Sequence, residues 1–226
     1  MKTYTRAELA RLVDYMLTNP QARAEDVERV CGEAREHGFH GVCVLGSRVE
    51  QAYAALEDTD IKVTALAGFP FGAMDSDVKR YEVEVAVDQG AHEIEMVINI
   101  GRVKDGDSAY VLRELRDIAE AADERPVKVI LESLLLTAEE RRAVCALALD
   151  SGVHFVSTGS GLGRDATPDE ARELRELVGK KFGVKANGRF SDLGTALALL
   201  EAGATRLGTT EAVALLETLP LTKVDS

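Results

Sequence analysis

Short apolar runs rich in β-branched residues recur along the chain, separated by stretches whose apolar positions repeat at helical spacing. Thr5 with Glu8 three residues on forms a capping box that opens a helix near Ala7. The run L-V-D-Y-M-L at Leu12 to Leu17 fits a continuation of that helix or a short strand, and Asn19-Pro20 marks a turn. A helix is predicted from Ala24 to His37, with Val27, Val30, Cys31 and Ala34 on one face and Gly38 as its stop. Strands follow at Gly41 to Leu45, Ile61 to Ala67, Glu93 to Ile100, Val127 to Glu132, Val153 to Val156, Phe182 to Ala186 and Thr205 to Gly208. Helices alternate with them at Val49 to Leu56, Asp75 to Gln89, Ser108 to Ala122, Thr137 to Ser151, Thr167 to Val178 and Ser191 to Glu201, and Thr209-Thr210 are read as the cap of a last helix.

Alternation of strand and helix implies parallel order, and continuous apolar strands are what burial on both faces requires. A doubly wound sheet and a closed eight-stranded barrel both fit. No Gly-rich phosphate fingerprint follows the first strand, which lowers the doubly wound reading. Counting Val13 to Leu17 as a strand completes eight and closes the barrel, read as one domain over residues 1–226.

Composition narrows the partners. The chain has 27 basic and 39 acidic residues and a formal charge of −12, which argues against nucleic acid and anionic membranes. No apolar run approaches the roughly 18 residues of a membrane span, and the N-terminus has no apolar core of signal-peptide length. Cys31, Cys43 and Cys145 lack metal-ligand spacing and read as buried free thiols, which suits a cytoplasmic protein.

In a barrel of this kind, residues at strand C-termini form the site. Asp14, Asn99, Lys128, Thr158, Gly161, Gly188, Arg189, Thr210 and Glu211 are the candidates for contacting a substrate, a small carbonyl or sugar-like molecule. Charged residues within apolar strands carry the chemical signal, because ionised groups are rarely buried without a partner. Lys185 reads either as a rim lysine paired with a carboxylate or as a desolvated amine of lowered pKa, able to attack a carbonyl or relay a proton. Glu95 reads as its salt-bridge partner or as a general acid/base, and Glu132 likewise. The histidines His37, His40, His92 and His154 fall near helix ends or strand starts, away from the expected mouth. No histidine stands near Ser157 in a triad-like pattern.

Several motifs resemble the deoxyribose-phosphate aldolases: A-G-F-P-F-G at 67–72, G-A-H-E-I-E-M-V-I-N-I-G at 90–101, K-V-I-L-E at 128–132, G-V-K-A-N-G at 183–188 and E-A-G-A-T-R-L-G-T at 201–209. The resemblance spans about Leu12 to Leu216. It implies a TIM (β/α)8 barrel of α/β class and a class I aldolase with neither cofactor nor metal. A lysine of such an enzyme forms a Schiff base, helped by a second lysine and an aspartate; the resemblance also allows a homodimer. Aligned without gaps, the Schiff-base lysine position is Ser157, whose hydroxyl cannot form an imine, and no lysine lies between Lys128 and Lys180. The second lysine is Lys185, and Glu95 stands in for the aspartate. The resemblance implies a phosphate site on backbone amides after the seventh and eighth strands. There this chain keeps Gly161 but has Gly188-Arg189 and Thr210-Glu211, and an Arg189–Glu211 pair is expected to fill part of the pocket. Three readings stand open: an aldolase using the Lys185 amine, an enzyme using Lys185, Glu95 and Glu132 for acid–base chemistry on a carbonyl (with Ser157 in the same site), and a non-catalytic metabolite binder.

Overall fold

The computed structural model describes residues 3–219. Eight parallel strands close into a barrel in sequence order: β1 (Val13–Leu17), β2 (Gly41–Leu45), β3 (Lys62–Ala67), β4 (Glu93–Val97), β5 (Val127–Ile130), β6 (Phe155–Ser157), β7 (Gly183–Gly188) and β8 (Arg206–Thr209). Val13 to Leu17 therefore resolves as strand, and β1 pairs with both β2 and β8 to close the ring. The short helix α1 (Arg6–Ala10) precedes it, opened by the Thr5–Glu8 capping box. The crossover helices include α2 (Ala24–His37), α3 (Val49–Leu56), α4 (Ser76–Asp88), α6 (Ser108–Ala121), α7 (Ala138–Ser151), α8 (Pro168–Val178) and α9 (Leu193–Glu201), and α10 (Ala212–Glu217) ends the described chain. This is the TIM (β/α)8 architecture.

Side chains alternate along each strand, and the two faces have different jobs. Outward positions such as Val42, Val44, Ile94, Met96, Val129, Val156, Val184 and Leu207 join the main core between barrel and helices. Inward positions split. Met16, Cys43, Leu66, Val97 and Ile130 form a separate apolar cluster in the lumen. The remaining inward positions, on β1, β3 to β5 and most of β6 to β8, carry polar and charged groups, and these strands are consequently not apolar throughout.

Boundaries shift where loops take over. β4 stops at Val97, because the Asn99 side chain accepts from Arg102 N–H and caps a short helix, α5 (Ile100–Lys104), which hydrophobic pattern alone had merged with the strand. β5 stops at Ile130, and Glu132 adopts a left-handed conformation (φ 50°) that opens a 3-10 turn. The N-cap of α10 is Glu211, not the threonines before it; Thr209 Oγ1 instead accepts the Glu211 N–H at 3.1 Å. Outside the barrel, Lys79 of α4 is fully buried and donates to Val97 O and to Glu114 of α6, both at 2.8 Å, while Glu114 accepts the Asn99 N–H at 3.1 Å. That ion pair holds the end of β4 to two helices.

Cys31, Cys43 and Cys145 are free and buried, and burial pushes their thiols up to about 11, 12 and 12. Thiolate is the reactive form. The native protein should therefore give no thiol reaction with a disulfide reagent at mildly alkaline pH, and all three cysteines should react once denaturant is added. Rapid labelling of the native protein would contradict this burial.

Candidate active site

Ion pairs occupy the part of the lumen that the apolar cluster leaves. Lys185, the third residue of β7, is fully buried and lies 2.5 Å from Glu95 Oε2 and 2.9 Å from Asp14 Oδ2. Asp14 also receives Arg206 at 2.9 Å, and Lys128 lies 4.0 Å away. Lys128 in turn binds Glu93 at 2.5 Å and donates to Thr64 Oγ1 at 3.3 Å. Three carboxylates (Asp14, Glu93, Glu95) thus face three cations (Lys128, Lys185, Arg206). Register explains the assembly: Glu95 stands beside Lys128, Lys185 beside Arg206, and Ser157 beside Lys185.

The expected lowering of the Lys185 pKa is corrected by this geometry. Burial alone pushes the amine down, but Asp14 and Glu95 together outweigh it and hold the ammonium well above its ordinary value. Asp14 is the converse. Burial pushes its carboxyl up, and Lys185, Arg206 and Lys128 pull it well below the usual range. Lys185 is therefore a paired cation in the interior, neither at the rim nor a free amine.

Asn187 extends the network upward. It lies two residues beyond Lys185 on the same face of β7, and its Nδ2 donates to Glu95 Oε1 at 2.9 Å, Ser157 Oγ at 2.9 Å and Gly159 O at 2.8 Å. Its Oδ1 has no hydrogen-bond partner among the described residues. That oxygen sits where a Cβ on Gly208 would be, only 2.1 Å from the ideal position, so β8 must carry glycine there. Sequence reasoning carried Asn187 only within the strand-end segment G-V-K-A-N-G and gave it no role of its own. Its signal was the period of two from Lys185 on a strand whose inward face is polar.

At the mouth, Glu132, Thr158, Gly159, Gly161, Arg164 and Asn187 line a small cleft of about 10 Å³, room for about one water. Glu132 Oε1 accepts the Ser160 N–H at 2.6 Å, and its carboxylate lies against Gly159. The predicted site residues thus fall into tiers. Glu132, Thr158 and Gly161 reach the cavity; Ser157, Lys185 and Glu95 lie one layer deeper; Asp14 and Lys128, expected near the mouth, lie deeper still as counter-charges. Asn99 caps α5. The expected Arg189–Glu211 pair does not form. Arg189 donates its backbone N–H to Asp165 Oδ1 at 2.5 Å, and Glu211 Oε1 takes the Thr210 hydroxyl at 3.4 Å.

The histidines do sit at strand starts: His92 Nδ1 accepts from Val63 N–H at 3.0 Å, and His154 Nδ1 from Val127 N–H at 3.2 Å. Asp14, His40 and Glu93 bring donor atoms within 4.8 Å of one another, a metal-like cluster at the foot of the lumen. Both carboxylates are already the counter-ions of Lys128, Lys185 and Arg206, so a divalent cation there would face three positive groups.

A TIM barrel with a buried lysine–carboxylate cluster under a polar mouth defines a class, the lysine-bearing barrel enzymes of carbonyl chemistry. The comparisons with known proteins sharpen it. The model of the DeoC/LacD family aldolases matches residues 9–178, and the chain belongs to that family. It is 42% identical over 209 residues to the deoxyribose-phosphate aldolase of Alkaliphilus oremlandii, covering 92% of this chain and 94% of that one. It is 41% identical over 215 residues to that of Thermococcus gammatolerans, covering 93% and 96%. Among solved structures, the tetrameric deoxyribose phosphate aldolase of Aeropyrum pernix superposes with a TM-score of 0.89 at 28% identity, covering 95% of this chain and 92% of that one.

Because removing one partner of a buried ion pair leaves an uncompensated charge, Asp14→Asn should lower unfolding free energy by about 3–5 kcal/mol in a urea titration. The sign with pH follows from the depressed Asp14 carboxyl. Its contribution is present above the ordinary carboxylate pKa and is lost as pH falls through the native value, so wild-type stability should decline in acid, with a smaller decline in the variant.

Proposed function

We propose that the protein is an aldolase-type lyase that makes and breaks a carbon–carbon bond in a small aldehyde or sugar, and that it does so with Lys185 as a fixed positive charge. The family and its deoxyribose-phosphate aldolase relatives support the reaction class. The observation that carries the mechanism is the pairing of Lys185 with Asp14 and Glu95, with Ser157 beside it on β6. In the cleavage direction, Glu132 at the cavity wall takes the proton of the hydroxyl on the bond to be broken. The carbon–carbon bond breaks, its electron pair forms an enolate on the neighbouring carbonyl fragment, stabilised by the fixed charge of Lys185, and the proton held by Glu132 passes to the enolate carbon, which resets the site. Asn187 and Glu95 hold the lysine's surroundings polar and fixed, so little reorganisation accompanies charge movement.

A second reading keeps an imine on Lys185. The favouring observation is Glu95 Oε2 at 2.5 Å, placed to accept the proton that the ammonium would have to lose. The substrate is a small carbonyl compound, the compartment the cytoplasm, and self-association the working assembly, in line with the tetrameric Aeropyrum relative; light scattering in solution reports the last.

Borohydride reduction in the presence of acetaldehyde, followed by peptide mass spectrometry, separates the two routes. The route without an imine predicts no adduct on Lys185, and Lys185→Met should lower retro-aldol turnover by roughly 10²–10³-fold. A reduced adduct on Lys185 establishes the imine instead. Unchanged turnover in Lys185→Met removes the cluster from the chemistry altogether.

A further inference from the structure

The loop after β6 folds back over the end of β7. Ala166 N–H donates to Asn187 O at 2.9 Å, which anchors the loop above the Gly188–Arg189 turn. Asp165, the residue before this anchor, sets Oδ1 on the Arg189 N–H at 2.5 Å. A Cβ on Gly188 would come within 2.7 Å of the same oxygen, so glycine at 188 is what lets a carboxylate settle on the turn. One loop earlier Glu132 repeats the arrangement on the Ser160 N–H at 2.6 Å. Glu211 adds a third carboxylate at the start of α10. Arg164 of this loop is tied to Glu170 and also feels Glu132 and Asp165, so it offsets only part of their charge.

Backbone N–H groups after the last strands of a TIM barrel are a common seat for a phosphate, because several amides converge there on one anion. In this chain an internal carboxylate already holds one of those amides. We propose that Asp165 determines specificity: it takes the anion position after β7 and restricts the mouth to substrates without a phosphate or other terminal anion, such as neutral hydroxyaldehydes. A phosphorylated ligand at this turn would have to displace Asp165 from the Arg189 amide and meet its charge. The substrate class rests on the aldolase reading above, whereas the occupied amide does not.

Inorganic phosphate is the probe that separates the two. Titrated into isotope-labelled wild-type protein, it should leave the Arg189 amide resonance without a saturable shift. Asp165→Ala should gain a saturable shift at Arg189, and Asp165→Asn, which keeps the shape and removes the charge, should do the same if the alanine variant melts early. Saturable binding at Arg189 in the wild type overturns the proposal, as does the absence of binding in a folded Asp165 variant. Failure of the aldolase reading would appear as absent turnover and leave this titration unaffected. Where turnover is present, the preference for a neutral over a phosphorylated aldehyde in kcat/KM should fall at least about tenfold in Asp165→Ala, like charges at a site being costly to juxtapose; an unchanged preference overturns the assignment.

Discussion

Charge neutrality inside a closed barrel is the constraint on which the rest of this structure depends. A lumen shielded from water cannot hold an isolated ion, since desolvation disfavours the charged form and no solvent remains to compensate. Asp14, Glu93 and Glu95 answer Lys128, Lys185 and Arg206, each ion touching at least one of opposite sign. The apolar cluster of Met16, Cys43, Leu66, Val97 and Ile130 fills the other part of the lumen and keeps the effective dielectric low around the charges. The site is rigid for the same reason that it is expensive to perturb.

That constraint alters what the lysine can do. Burial is commonly invoked to make an amine nucleophilic, but the argument holds only where no carboxylate is at hand. With Asp14 and Glu95 both against Nζ, Lys185 is an ammonium whose value is as a fixed positive charge. Ser157 and Asn187 complete the change: the hydroxyl and the amide share a hydrogen bond beside the lysine and couple β6, β7 and β4 through Glu95.

The mouth follows a parallel logic. Backbone amides at loop ends need acceptors, and here side chains of the chain itself provide them. Glu132 reaches the amide after β6 from a left-handed backbone conformation, and Asp165 reaches the one after β7. Polar satisfaction of the loops and selection among ligands become one property, because an amide can be given to a carboxylate or to a phosphate but not to both.

Period and punctuation in the chain determined the order of elements, the parallel barrel and its closure, because alternation of strand and helix leaves few other topologies and caps such as Thr5, Gly38 and Gly152 act locally. They also marked Lys185, Glu95 and Glu132, since an ion in an apolar run needs a reason. Partner choice lay beyond that reading. Asp14 and Lys185 are separated by most of the chain and meet only because β1 and β7 flank β8 in the closed ring. The end of β4 at Asn99, the bend at Glu132, the fold-back of Asp165 and the role of Asn187 were likewise settled by tertiary structure. Each depends on a hydrogen bond or an ion pair made across the barrel or between loops, and such contacts leave no periodic trace in a linear sequence.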